Sequence, residues 1–152
     1  MSACAGPSDA HLRASQLIGL IAHIFSELEN DVDACLQSMA GESFTTRRML
    51  RGLSFANKLD NVHGTLAERY AGDRDRLVAL HRWRRRFERF RVRRNEIVHG
   101  LWDEDSQTIG GKSAPEDGRK RARFNVHELS SELDALRQFR VGTLRDWFGG
   151  EV

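Results

Sequence analysis

Seven consecutive residues, Arg94-Asn95-Glu96-Ile97-Val98-His99-Gly100, carry the strongest chemical signal in the chain. On an α-helix, Arg94 and His99 sit roughly 140° apart around the axis and about 7.5 Å along it. Asn95 and His99 are one turn apart and within reach of each other. Arg94 supplies a permanent forked cation for a phosphate and for charge developing on it. Gly100 begins the end of the helix, so His99 falls in the last turn, where the negative end of the helix dipole favours the imidazolium. Imidazole starts near pKa ~6.5, and a modest upward push poises it for proton transfer at neutral pH. Arginine plus histidine without metal ligands suits attack by an RNA 2′-hydroxyl on its own phosphodiester. Asn95 would then orient His99 or the phosphate.

The helix that must present these groups is written in the spacing of its apolar residues. Leu80, Trp83, Phe87, Phe90, Arg94, Ile97 and Leu101 alternate steps of three and four, which is one helical face. Six are apolar and one is an arginine. A guanidinium on an apolar stripe is costly unless it is paired or lies in a polar pocket; the competing reading has Arg94 snorkel to water or pair with a core acid. Trp83, Phe87 and Phe90 could stack bases, but their helical spacing reads as core. Gly72 and Asp73 mark the start of this helix, with Asp73 as its N-cap.

Three further helices are expected around it. Leu17, Leu20, Ile21, Ile24, Leu28, Val32, Cys35 and Met39 form one face of a first helix, with Asp9 as a candidate cap and a break over 41–46. A second, less regular helix spans about Thr46 to Tyr70, weakened at Gly52 and Gly64, so that a bend or split is expected. After Gly100, residues 103–120 are polar and Gly-rich. The stretches Leu101–Ile109 and Arg121–Val126 either form a short hairpin around that loop or are irregular. Asn125 with Glu128 reads as a capping box, opening a last helix through Leu129, Leu133, Leu136, Val141, Leu144 and Trp147 to Gly149-Gly150. The expectation is an all-α, antiparallel four-helix bundle with a polar loop or short hairpin between helices 3 and 4. Residues 1–8 are expected to be a flexible tail, and 9–150 a single domain.

Composition sets the outer bounds. The chain has 152 residues, 39% hydrophobic and 30% charged, with net charge +2, which fits one globular domain and not a disordered chain. Two cysteines, Cys4 and Cys35, exclude a disulfide scaffold and a four-cysteine zinc site. Cys35 reads as a small buried hydrophobe. The chain lacks an 18-residue apolar run and a recognisable leader, so a cytoplasmic protein is expected. Of the 24 basic residues, 21 are arginine, and eight of these lie between Arg82 and Arg94 with only Glu88 among them. So basic a helix on a near-neutral protein suggests a polyanion partner. Arg82, Arg85, Arg86, Arg89 and Arg93, off the apolar stripe, are the candidates to track an RNA backbone. The competing reading is a solvated helix face. Lys58 stands five residues before His63, as Arg94 does before His99, and is a further phosphate-binding candidate.

Other signals fail. Gly111-Lys112-Ser113 resembles the end of a phosphate-binding loop, but Ser106 stands where its first glycine is required and no apolar strand precedes it. His11, His23, His63, His81 and His127 lack metal-ligand spacing. Asp103, Glu104 and Asp105 could hold a hard cation beside His99, although a solvated acidic turn explains them more simply. No cofactor or metal is expected.

Arg94, Asn95 and His99, followed by Gly100 late in a long helix of an all-helical chain, resemble the motif of the HEPN superfamily: an arginine, a polar residue directly after it, and a histidine four to six residues on. The resemblance implies a homodimeric helical bundle whose two motifs meet across a cleft. It also implies metal-independent endoribonuclease activity that leaves a 2′,3′-cyclic phosphate, often in toxin–antitoxin, abortive-infection or CRISPR settings, with an antitoxin protein as a possible partner. One toxin branch carries a tyrosine two residues after the histidine. Here that position is Leu101, and the one tyrosine is Tyr70, so regulation through that tyrosine is not implied. A dimer also has an independent rationale: cleavage needs a base and an acid, and a two-fold axis doubles one well-placed histidine. The alternatives are a non-catalytic module that dimerises or holds a partner protein or nucleic acid, and a DNA-binding regulator, for which no helix-turn-helix pairing is evident.

Overall fold

The computed structural model of the chain describes residues 7–41, 44–110 and 123–149. They are largely helical: α1 (Asp9–Ala40), α2 (Phe44–Arg51), α3 (Phe55–Arg69), α4 (Arg74–Val98) and α5 (Val126–Thr143), with a π-helical turn over Leu144–Phe148. Between α4 and α5 lies a small antiparallel sheet in the order β1 (Leu101–Asp103), β2 (Thr108–Gly110), β3 (Arg123–Phe124). Gly111-Lys112-Ser113, most of the polar loop, Cys4 and Gly150 lie outside the described residues. No helix among those described is long and apolar enough to cross a membrane.

Local chemistry accounts for most boundaries. The capping box forms as expected: Glu128 N–H donates to Asn125 Oδ1 at 2.9 Å, and Asn125 N–H to Glu128 Oε2 at 2.8 Å. Asp73 caps α4 through the Arg76 amide, 2.9 Å. Gly41 and Gly149 end their elements at φ +77° and +67°, backbone that L side chains rarely adopt. Asp9 is not the cap of α1. Ser8 takes that place, accepting from the His11 amide at 3.2 Å, which brings the end of the expected tail into the helix. The expected second helix is two helices, broken at Gly52 and Leu53, with Ser54 Oγ capping α3 through the Asn57 amide; Gly64 interrupts nothing.

The sheet differs from the expected hairpin. Phe124 pairs with Ile109 and Arg123 with Gly110, as a hairpin around the polar loop would have it. Leu101–Ile109, however, is not one strand: it folds on itself, with Trp102 opposite Ile109 and Asp103 opposite Thr108. Gln107 makes the turn at φ +49°. Asp103 organises it by accepting from the Asp105 amide and from Ser106 Oγ, at 3.1 and 2.8 Å.

Residue contacts divide the chain into two units, Met1–Phe25 with Phe90–Arg137, and Ser26–Arg89 with Gln138–Val152. In the first, Ala14, Ile21, Phe25, Ile97, Ile109, Phe124, Leu129, Leu133 and Leu136 are buried. In the second, Leu28, Val32, Leu59, Val62, Leu66, Leu80, Trp83, Phe87, Phe139 and Trp147 are buried. Two polar devices lock the second core. Trp83 Nε1 donates to buried Thr143 Oγ1 at 2.9 Å. Arg140 bridges Asp31 (2.6 Å) and Glu27 (2.8 Å).

Candidate functional site

Arg94, Asn95 and His99 all belong to the first unit. They occupy the C-terminal end of α4, which closes with His99 N–H on the Asn95 carbonyl (3.1 Å) and Gly100 N–H on the Ile97 carbonyl (3.3 Å). The helix ends there because the next residue must pass close to β2. A Cβ on Gly100 would stand 2.8 Å from the Glu96 carbonyl oxygen, 2.8 Å from Ile109 Cγ1 and 3.0 Å from the Gly110 carbonyl oxygen. Gly100 therefore does more than end a helix: only a residue without a side chain lets the hairpin seat against the turn that carries His99.

Arg94 is half-buried, as its place on the apolar stripe predicts. Its guanidinium lies over the Phe25 ring, 5.6 Å from the centroid. Nη1 donates to Asn95 Oδ1 at 2.9 Å. Nε is fully shielded and has no hydrogen-bond partner among the described residues. It does not snorkel free, and it pairs with no core acid among the described residues. Asn95 is thus turned to Arg94, and no side-chain bond joins it to His99 among the described residues. His99 is exposed, and its ring nitrogens have no protein partner among the described residues. The acidic turn beyond it is occupied internally: Asp103 holds its own loop and Arg123 (3.5 Å), and Glu104 pairs with His11 (3.4 Å). The described residues contain no cluster of three or more potential metal ligands.

The basic residues of α4 sort into two kinds. Arg82, Arg85 and Arg89, in the second unit, are exposed and have no carboxylate partner among the described residues. Arg86 beside them lies over the Phe139 ring at 5.3 Å, and these four share one helical face. Arg93, in the first unit, is paired with Glu132. Lys58 is half-buried with its ammonium 2.7 Å from Asp33, so its charge is already matched. Arg84, not a sequence candidate, is held by Asp60 at 2.7 Å. Burial pushes the Cys35 thiol up to about 11, so it stays protonated at neutral pH and is no nucleophile.

Sequence reasoning passed over two further features. Trp102 stacks on His11 (centroids 5.3 Å apart, 7° between planes) with its Nε1 shielded and without a partner among the described residues. His63 and His81 meet in the second unit. Neither leaves a local signal, because each depends on the register between separate elements. Compared with protein-family models, curated proteins and solved structures, the chain matches none.

Proposed function

We propose that the chain is a metal-independent endoribonuclease of HEPN type, acting as a two-fold dimer on a helical-bundle scaffold in a toxin–antitoxin or defence system. One observation carries the reading. Among the described residues, Arg94 is half-buried with an unpaired Nε, and five residues on, His99 is exposed and unengaged. Buried polar atoms without partners are rare and costly, at about 1–3 kcal/mol. A guanidinium without a carboxylate partner among the described residues, on the same end of α4 as an unengaged imidazole, fits a ligand that brings negative charge.

In the proposed reaction, His99 takes the proton of a ribose 2′-hydroxyl as that oxygen forms its bond to phosphorus. The bond from phosphorus to the 5′-oxygen breaks, and the His99 of a second copy gives the leaving oxygen its proton. Arg94 stabilises the charge on the non-bridging oxygens. The products are a 2′,3′-cyclic phosphate and a 5′-hydroxyl. Arg82, Arg85 and Arg89 contribute phosphate contacts.

The test is cleavage of single-stranded RNA in EDTA. The wild-type protein cuts, and Arg94→Ala and His99→Ala lose cutting by 10²-fold or more while circular dichroism and melting show both still folded. Equal activity in all three rejects the proposal. If no RNA is cut and both variants weaken a dimer instead, the non-catalytic binding module takes its place.

A further inference from the structure

In the second unit, His63 on α3 and His81 on α4 bring Nε2 and Nδ1 to 3.1 Å, with ring centroids 5.1 Å apart and planes 46° apart. An N–H···N bond between neutral imidazoles fits this distance. In contact with water such a bond contributes little, because solvent competes for both partners. Yet two separate helices bring two nitrogens, each able to present a lone pair, close enough together to be bridged by one ion.

We propose that His63 and His81 form a two-histidine clamp for a borderline transition-metal dication, of the zinc, copper(II) or nickel(II) class. At metal–nitrogen bonds of about 2.05 Å, a 3.1 Å separation corresponds to an N–metal–N angle of roughly 98°. That lies between the square-planar and tetrahedral values, so either geometry is reached by a few tenths of an ångström of side-chain movement. As the ion binds, the ring that donates the shared proton changes tautomer and carries its N–H on the nitrogen facing away, so both neutral imidazoles present a lone pair and no net proton is released. No third His, Cys, Asp or Glu among the described residues completes the set, so the remaining positions go to water.

The surroundings explain why nitrogen ligation must carry the affinity. Asp60, one turn before His63, is engaged by Arg84 at 2.7 and 3.2 Å, and Arg84 also reaches Glu88 at 3.5 Å. Arg85 lies one turn beyond His81. The charges of these two carboxylates and two guanidiniums sum to zero, so the patch offers no excess of negative charge to a hard cation such as magnesium or calcium. Imidazole instead favours the later first-row ions. The inference is independent of the reading of Arg94 and His99.

The experiment uses tag-free, metal-stripped full-length protein. Zinc(II) is titrated by calorimetry, and copper(II) is followed by electron paramagnetic resonance. The expected result is one site per chain, with nitrogen hyperfine structure from two imidazoles. His63→Ala and His81→Ala each weaken zinc at least tenfold, whereas His127→Ala and Asp60→Asn leave it within threefold. His81 is exposed and His63 half-buried, and the melting curves of the variants check folding. Undiminished binding in either histidine variant, oxygen-only copper coordination, or no binding of either ion at 0.1 mM (on the order of a weak site) overturns the proposal.

Discussion

Replacing Gly100 by alanine tests the seating of the hairpin on α4. The new methyl would meet two backbone carbonyl oxygens, of Glu96 at 2.8 Å and Gly110 at 3.0 Å, and Ile109 Cγ1 at 2.8 Å. The Ile109 side chain can yield by a rotamer change, but the carbonyls cannot. Relief requires both the Gly100 turn to shift from the Glu96 carbonyl and β2 to move from that turn, each by about half an ångström, and overpacking of this kind costs about 1–3 kcal/mol. Against it stands the smaller conformational freedom of alanine in the unfolded chain, worth about 0.4–1 kcal/mol. The net expectation is a loss of about 1–2 kcal/mol. At this chain length that lowers Tm by roughly 2–8 °C. Gly64 is the control: it lies inside α3, and a Cβ there meets nothing within 4 Å. Gly64→Ala gains roughly 0.5–1 kcal/mol from helix propensity. Thermal and urea denaturation of the two variants give the comparison. If Gly100→Ala is as stable as Gly64→Ala, the close approach is not what fixes glycine at this position.

Arg94→Met separates function from packing. The thioether chain fills similar space over Phe25, removes the shielded unpaired Nε and loses the bond to Asn95. Stability by urea denaturation is therefore expected to hold or rise by up to about 2 kcal/mol, while cleavage is lost; destabilisation beyond 1 kcal/mol makes Arg94 a structural residue. Acid acts on the hairpin through Asp103. The Ser106 hydroxyl, then the Ser106 and Asp105 amides and the Arg123 charge, hold its carboxyl below the usual 3.8. A depressed folded value means that the contribution is present above 3.8 and is lost as pH falls through that lower value. The Asp105 and Ser106 amide resonances should titrate with a midpoint below 3.8 and stop doing so in Asp103→Asn; a midpoint at or above 3.8 overturns the account.

What was legible in the sequence was local. The Asn125–Glu128 box, the Asp73 cap and the stops at Gly41 and Gly149 each depend on a few neighbouring residues, and each forms. The start of α1 went to Ser8 rather than Asp9, since both are good caps one residue apart and the choice depends on the Glu104 carboxylate that Ser8 Oγ reaches at 3.3 Å. The β1–β2 turn was hidden because it lacks an Asn-Gly or Asp-Gly pair; Gln107 supplies its left-handed residue instead. The half-burial of Arg94 followed from the stripe, but its stacking on Phe25 did not, because no periodicity within α4 says which ring of α1 stands opposite. The same holds for His63 with His81, for Arg140 with Glu27 and Asp31, and for Trp83 with Thr143.

The density of arginine in the sequence overstates the charge that α4 can offer a polyanion. Arg84 and Arg93 are bound to carboxylates, Arg86 rests on an aromatic ring, and Arg91 has a contact of its own. Of the eight arginines from Arg82 to Arg94, Arg82, Arg85 and Arg89 remain besides Arg94 itself. A phosphate contact to a single strand contributes a slope of about −0.7 to the dependence of log affinity on log salt. With cleavage silenced by His99→Ala, Arg82→Ala and Arg89→Ala should each flatten that slope by about 0.7 for every copy the RNA touches. Arg84→Ala and Arg93→Ala should leave it nearly unchanged and act instead on folding stability. Fluorescence anisotropy of a labelled single strand across a salt series distinguishes the two groups. If Arg84→Ala flattens the slope as much as Arg89→Ala, the guanidinium leaves Asp60 for phosphate, and the ion pairs of α4 are a reserve of charge rather than part of its scaffold.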